Sequence, residues 1–85
     1  MIWVVKAEKT SKKYEILIEF NDGVGGGVNF EKIFANDHRA IIRELLDESK
    51  FNAFFVENDT VNWKNGADFA PEFLYENIIK HKQVA

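Results

Sequence analysis

The first third of the chain alternates apolar and polar residues, which is the pattern of strands with one buried face. Residues 2–9 mix Ile, Trp and Val with Lys and Glu, and a polar turn follows at residues 10–13. The next segment places an aromatic or branched side chain at every second position: Tyr14, Ile16, Ile18 and Phe20. The pattern predicts two strands, of which the second is the clearest in the sequence.

Register decides the turn between the second and third strands. A two-residue loop would place Val28 on the face of Glu19, away from the other apolar side chains. A three-residue loop over residues 21–23 gives three apolar pairs: Phe20 with Val24, Ile16 with Val28, and Tyr14 with Phe30. We therefore predict a type I turn with Gly23 in the left-handed conformation, followed by a third strand over residues 24–30.

Three consecutive glycines, Gly25 to Gly27, lie in this third strand. Glycine-rich loops bind phosphates where they lead into a helix whose amides face the anion. Here no Lys-Ser or Lys-Thr pair follows, and the spacing fits neither a P-loop nor a dinucleotide fingerprint. The glycines instead predict a weak, bulged or edge strand that another part of the structure approaches closely.

Apolar residues at spacings of three and four predict a central helix. Asn29 can cap a short first turn over residues 30–34. A longer helix follows, with Asn36 or Asp37 as its cap, and its apolar stripe comprises Ala40, Ile41, Ile42, Leu45 and Leu46. Asp47 can then cap one more short turn.

Residues 54–63 predict a β-hairpin closed by the two-residue loop Asn58-Asp59, since both residues tolerate left-handed backbone conformations. That loop places two apolar pairs on one face: Val56 with Val61, and Phe54 with Trp63. Phe55 is left on the opposite face. There it either contacts a partner or lies beneath a helix.

Residues 63–75 combine a strand end, a tight turn and a helix start. Asn65-Gly66 is a turn dipeptide. The last helix starts at Pro71, whose fixed φ suits the first helical position. The alanine before it is a poor cap, so we expect Asp68 to accept hydrogen bonds from nearby backbone amides instead.

Together these elements predict a single α+β domain over residues 1–85. It has an N-terminal antiparallel three-stranded meander, a central helix, a β-hairpin and a C-terminal helix. A chain of 85 residues can form one modest core. Eight Phe, two Trp and two Tyr supply more aromatic bulk than such a core obviously needs, which indicates that some of it faces a partner.

The net charge of −3 is unevenly distributed along the chain. Residues 1–13 carry four lysines and one glutamate, residues 80–85 carry two lysines, and residues 14–79 carry thirteen acids and five bases. If the two ends lie together, they form a basic strip that could contact a phosphate backbone, made of Lys6, Lys9, Lys12, Lys13, Lys80 and Lys82. The alternative is a set of solvated lysines.

The sequence offers little support for catalysis or for metal binding. It has no cysteine, its two histidines, His38 and His81, lack partners at metal-ligand spacing, and its serines lack the context of a nucleophile elbow. No apolar run approaches the roughly 20 residues of a membrane span. We expect a cytoplasmic protein that is not an enzyme, binds no cofactor or metal and does not contact a membrane.

The final third of the chain resembles the ending of a bacterial family catalogued as domain of unknown function 2442. The matching residues there are Trp63, Asn65, Gly66, Asp68, Pro71, Leu74 and Tyr75, and upstream they are Phe20, Asp22, Gly23, Leu46, Asp47 and Phe51. The resemblance covers nearly the whole chain. Lys64 stands where many relatives have Pro, Asn29 where Asp is common, and Ala70 where Ser is common.

The resemblance implies no established activity. Relatives are often encoded beside another small protein, an arrangement similar to toxin–antitoxin pairs, and this implies a protein-binding role with an antitoxin-like partner or a second copy. Our candidate binding residues are Phe55, Trp63, Asn65, Asp68 and Tyr75. One alternative is a nucleic-acid or small-ligand binder that uses residues 63–75 and the terminal lysines. A second alternative is that the polar residues among them, Asn65 and Asp68, only shape the turn and cap the helix.

Overall fold

The chain forms a three-stranded antiparallel sheet, three short helices, a two-stranded hairpin and a C-terminal helix, which confirms the predicted α+β class. The computed structural model describes the backbone of residues 1–84 and the side chains of residues 1–78. The strands are β1 Val4–Lys9, β2 Glu15–Phe20, β3 Gly25–Asn29, β4 Phe55–Glu57 and β5 Thr60–Asn62. The helices are α1 Phe30–Ala35, α2 Ala40–Arg43, α3 Glu48–Phe51 and α4 Pro71–Val84, with a 3₁₀ turn at Glu44–Leu46.

The predicted register of the meander is confirmed. Ile16 lies opposite Val28, and the Phe20 amide donates to the Val24 carbonyl at 2.9 Å, so the loop between β2 and β3 contains three residues. Gly23 has φ +88°, the left-handed conformation that the loop requires. One face of the sheet thereby keeps all its branched and aromatic side chains against the core.

The predicted central helix is wrong in its length. α2 ends at Arg43, and the chain continues as the 3₁₀ turn. Asp47 ends the 3₁₀ turn, since its backbone is extended, and its carboxylate accepts a hydrogen bond from the Ser49 amide at 3.0 Å. The predicted cap at Asp47 is therefore confirmed, whereas Asp37 accepts from the Arg39 amide before α2 begins.

The core is built mainly from aromatic rings. Five of the eight phenylalanines are buried, and Phe30 contacts Phe51, Trp63 and Phe69 with ring centroids 5.7 to 5.8 Å apart. Most of the aromatic content that suggested a partner is therefore used inside the domain. The large apolar side chains that remain exposed include Phe55 and Phe73.

The hairpin has the predicted loop and register. Asn58 and Asp59 have φ of +53° and +68°, and Val56 lies opposite Val61. The predicted pair of Phe54 with Trp63 does not form part of the ladder, which ends one residue earlier, because Trp63 turns into the core. Val56, predicted on the apolar face, is 40% exposed.

Helix α4 begins at Pro71, as predicted, and packs on the inner face of β3. A Cβ atom on Gly26 would lie only 3.1 Å from Ile78 Cγ2, so the glycine allows the helix its close approach. This confirms the interpretation of the glycine run as a place of close approach. The side chains of Lys80, His81 and Lys82 near the end of α4 lie outside the described residues.

Candidate functional site

Trp63 is part of the core. It is 2% exposed, and its indole N–H donates to the Phe51 carbonyl at 2.8 Å. The ring packs edge-on against Phe30 and Phe69. Its main contribution is therefore to join the hairpin to α3, and little of it is available to a partner.

Asn65 holds the turn after the hairpin against α2. Its side-chain nitrogen donates to the Ile41 carbonyl and to Glu44 Oε1, both at 2.9 Å, and its oxygen accepts from the Ala67 amide at 3.0 Å. Gly66 has φ +94°, so the predicted turn at this dipeptide is confirmed. The hydrogen-bonding groups of Asn65 are thus used by the fold.

The predicted capping role of Asp68 is wrong. Its side chain is exposed, and within the described residues its carboxylate accepts no hydrogen bond from a backbone amide. The Asp68 backbone instead forms a β-bridge with Asn62. The hydrogen bond to Asp37 raises the pKa of the Arg39 guanidinium, and the charge of Asp68 adds to this effect.

We expect Asp68→Ala to change the free energy of unfolding by less than about 0.5 kcal/mol, as for most exposed side chains. The matched control is Asn29→Ala. Asn29 does cap a helix, accepting from the Glu31 amide at 2.9 Å, and its loss is expected to cost about 1 kcal/mol. Urea unfolding followed by circular dichroism measures both. Equal losses for the two variants would show that Asp68 has a capping role after all.

Tyr75 joins α4 to the turn between β2 and β3. Its hydroxyl donates to Asp22 Oδ2 at 2.7 Å, and its ring packs edge-on against Phe20 at 5.1 Å. The hydrogen bond to Asp22 favours the neutral phenol and so raises the pKa of Tyr75. Asp22 and Tyr75, two family-matching residues far apart along the chain, therefore meet where α4 packs against the turn between β2 and β3.

The five candidate residues do not form one site. Phe55 lies on β4 and is 37% exposed, which excludes its burial beneath a helix within the described chain. Two of them, Trp63 and Asn65, share a groove of about 460 Å³, which Glu44 and Lys50 also line. A second groove, of about 530 Å³ between α1 and α4, is lined in part by Lys32, Arg39, Phe69 and Phe73.

Three of the four N-terminal lysines contact an acid or a backbone carbonyl in the described part of the chain. Lys6 Nζ lies 3.1 Å from Glu8, and Lys13 Nζ lies 3.9 Å from Glu48. Lys9 donates to two backbone carbonyls of the turn that follows β1. Lys80 and Lys82, the predicted remainder of the strip, have side chains outside the described residues.

Strand β3 offers a better candidate site, because it forms one edge of the sheet. The Phe20 amide bonds to the Val24 carbonyl, and the Phe30 amide bonds to the Tyr14 carbonyl at 2.8 Å. Hydrogen-bonded pairs alternate in an antiparallel ladder, so Gly26 and Val28 bond to β2. Gly25 and Gly27 point their N–H and C=O groups away from it. Within the described chain these four groups have no partner.

Two glutamates of β2 flank these glycines on the outer face of the sheet: the Glu15 carboxylate reaches Gly27, and Glu19, opposite Gly25, also lines a groove with Lys6 and Glu8 of β1. A Cβ atom on Gly27 would lie 2.9 Å from Glu15 Oε2, and a Cβ atom on Gly25 would lie 3.6 Å from the Cα of Glu19. Glu15 Oε1 accepts from the Thr10 hydroxyl at 2.7 Å. The edge is thus a strip of bare backbone flanked by negative charge.

Sequence reasoning identified the weak strand but missed Glu15 and Glu19. The two residues looked like ordinary solvated positions on the polar face of β2. The available signal was their register: Glu19 lies opposite Gly25, and Glu15, opposite Asn29, is diagonal to Gly27 on the same face.

The described residues contain no group of three His, Cys, Asp or Glu side chains placed to hold a metal ion. None of the helices, as far as they are described, has the length and apolar character to cross a bilayer. Neither finding changes which residues form the candidate site at the β3 edge.

The chain matches a model of a known protein family. A family model described as a protein of unknown function, DUF2442, matches residues 6–80. No curated protein and no solved structure matches the chain. The matched segment contains the β3 edge, both glutamates that border it and the residues 63–75 that suggested the resemblance. The chain therefore belongs to the DUF2442 family.

Proposed function

We propose that this protein is a non-catalytic protein-binding module whose β3 edge accepts an extended strand from a partner protein. The observation that carries the proposal is the row of unpaired backbone groups on Gly25 and Gly27. Main-chain hydrogen bonds to an added strand would satisfy these groups and supply affinity, as in other cases of strand addition.

The composition of β3 supports this role. Exposed edge strands are usually protected by charged side chains, prolines or bulges that prevent pairing with another chain. β3 has none of these at residues 25–27, and its register with β2 is regular. Its glycines also leave room for an approaching backbone.

The proposal includes a cytoplasmic location, consistent with a chain that lacks cysteine. An antitoxin-like pairing with a second small protein is one form that such binding takes. The nucleic-acid or small-ligand alternative would use residues 63–75 and the terminal lysines, but in the groove beside Trp63 the Asn65 amide is already bonded to α2. We therefore favour the β3 edge.

The test compares Gly27→Pro with Gly27→Ala. Proline removes the outward N–H and places its ring at the edge, whereas alanine keeps the N–H and meets only the flexible Glu15 side chain. The probe is a short synthetic peptide of alternating threonine and valine. We expect it to shift the amide resonances of Gly25 and Gly27, and Gly27→Pro to weaken binding about tenfold while Gly27→Ala does not.

Two further measurements distinguish a loss of binding from a loss of folding in the proline variant. Circular dichroism and the unfolding midpoint show whether the proline variant retains its fold. Hydrogen exchange of the Gly25 and Gly27 amides in the unsubstituted protein should slow when the peptide is added. If the peptide leaves both amides unprotected, or binds the folded proline variant as tightly, strand addition at β3 is excluded.

A further inference from the structure

We infer that the strand bound at the β3 edge is a basic segment of a different protein, with Lys or Arg at alternate positions. Glu15 and Glu19 would hold these side chains across the bare glycines. This inference rests on the proposed function and adds the chemistry of the partner.

The glycines open a path from the edge to the two carboxylates. Neighbouring strands lie about 4.8 Å apart, so an added strand would lie roughly 10 Å from β2. Between them, on the outer face, Gly25 and Gly27 contribute no side chain. A long side chain of the added strand can therefore lie over β3, with its apolar stem on the glycine backbone and its charged end near β2.

Acidic side chains outnumber basic ones on the outer face of the sheet, which favours binding of a cation. Its ionisable groups along β1 and β2 are Lys6, Glu8, Glu15 and Glu19. The single ammonium group belongs to Lys6, which lies opposite Glu19 in the ladder, and it lies 3.1 Å from Glu8. In the described chain, neither Glu15 nor Glu19 has a cation within ion-pair distance, and Glu15 Oε2 is the oxygen that faces Gly27.

The spacing of the carboxylates sets the spacing of the basic residues. Side chains alternate between the two faces of a strand, so residues of the added strand that lie opposite Gly25 and Gly27 share the outer face. Glu15 lies over Gly27 and Glu19 stands beside Gly25. Basic side chains are thus expected two residues apart.

A second copy of this chain does not provide such a strand. If two β3 edges paired, each would present glycine, valine and asparagine to the other. Glu15 and Glu19 of both copies would also come close to one another, and like charges in that position oppose association. The same argument applies to an acidic segment of any other protein.

The experiment uses three short peptides in which valine alternates with lysine, threonine or glutamate. Binding is measured by calorimetry at low and high salt. We expect the lysine peptide to bind about fivefold or more tightly than the threonine peptide at low salt, the glutamate peptide to bind most weakly, and the difference to shrink at high salt.

The matched variants are the double substitutions Glu15→Gln with Glu19→Gln, and Glu57→Gln with Glu72→Gln. Both remove two negative charges, but only the first pair borders β3, and glutamine at position 15 can still accept from Thr10. We expect only the first variant to bind the lysine peptide as weakly as it binds the threonine peptide. Equal effects of the two variants would show nonspecific charge attraction and overturn the inference.

Other outcomes separate the inference from the proposed function. If all peptides bind equally and Gly27→Pro still abolishes binding, the basic partner is wrong but strand addition remains. If no peptide protects the Gly25 and Gly27 amides, both are wrong. A homodimer in sedimentation that Gly27→Pro dissociates would replace the basic segment by a second copy.

Discussion

Replacing Trp63 by alanine is expected to lower the free energy of unfolding by about 3–5 kcal/mol, as for other buried aromatic residues. The side chain is 2% exposed and its ring lies 5.8 to 6.0 Å from those of Phe30, Phe51 and Phe69. Domains of this size have only about 5–15 kcal/mol of stability in total. We therefore expect the variant to be close to unfolding at room temperature.

Urea unfolding monitored by circular dichroism measures this effect, and Trp3→Ala provides the matched control. Trp3 is 40% exposed, so its removal should cost less than about 1 kcal/mol. Trp63→Phe keeps most of the ring but leaves the Phe51 carbonyl without its indole donor, at a cost of about 1–3 kcal/mol. Similar losses for Trp3→Ala and Trp63→Ala would contradict the described core.

Strand pairing could be predicted from the sequence because register leaves few choices. Shifting a strand by one residue reverses every side chain, so only the three-residue loop kept Ile16 and Val28 on one face. The same argument identified the two-residue loop at Asn58 and Asp59. In both hairpins, local turn chemistry and the apolar pattern indicate the same structure.

Contacts between distant residues limited the prediction of the helices. The apolar stripe of the central region fits a continuous helix, but the Tyr14 hydroxyl donates to the Leu46 carbonyl at the end of the 3₁₀ turn. This contact satisfies a carbonyl that a longer helix would have bonded itself. Nothing in the local sequence indicates that the tyrosine immediately before β2 lies there.

The motif of residues 63–75 identified the family without locating a binding site. Asn65 and Trp63 have structural roles, and the exposed residues Asp68 and Phe55 pair with Asn62 from opposite sides. The candidate edge depends on Gly25 and Gly27. Their significance follows from the alternation of hydrogen bonds across β2 and β3, which requires the register as well as the residue types.

The second large effect is expected at the contact between α4 and β3. Ile78 is 1% exposed, and Ile78→Ala should lower the free energy of unfolding by about 2–5 kcal/mol. Gly26→Ala alone should also destabilise, by about 1 kcal/mol, since its Cβ would lie 3.1 Å from Ile78 Cγ2. In the Ile78→Ala background the new methyl group enters vacated space, so this cost should disappear.

A double-mutant cycle measures that coupling as the difference between the effects of Gly26→Ala in the two backgrounds. Residues in contact typically couple by about 0.5–3 kcal/mol. Gly27→Ala is the matched control, because its Cβ points to the other face and meets Glu15 instead of Ile78. We expect that substitution to be additive with Ile78→Ala within about 0.5 kcal/mol. Equal coupling at both glycines would mean that α4 does not rest on Gly26, and the reason for the glycine there would have to lie elsewhere.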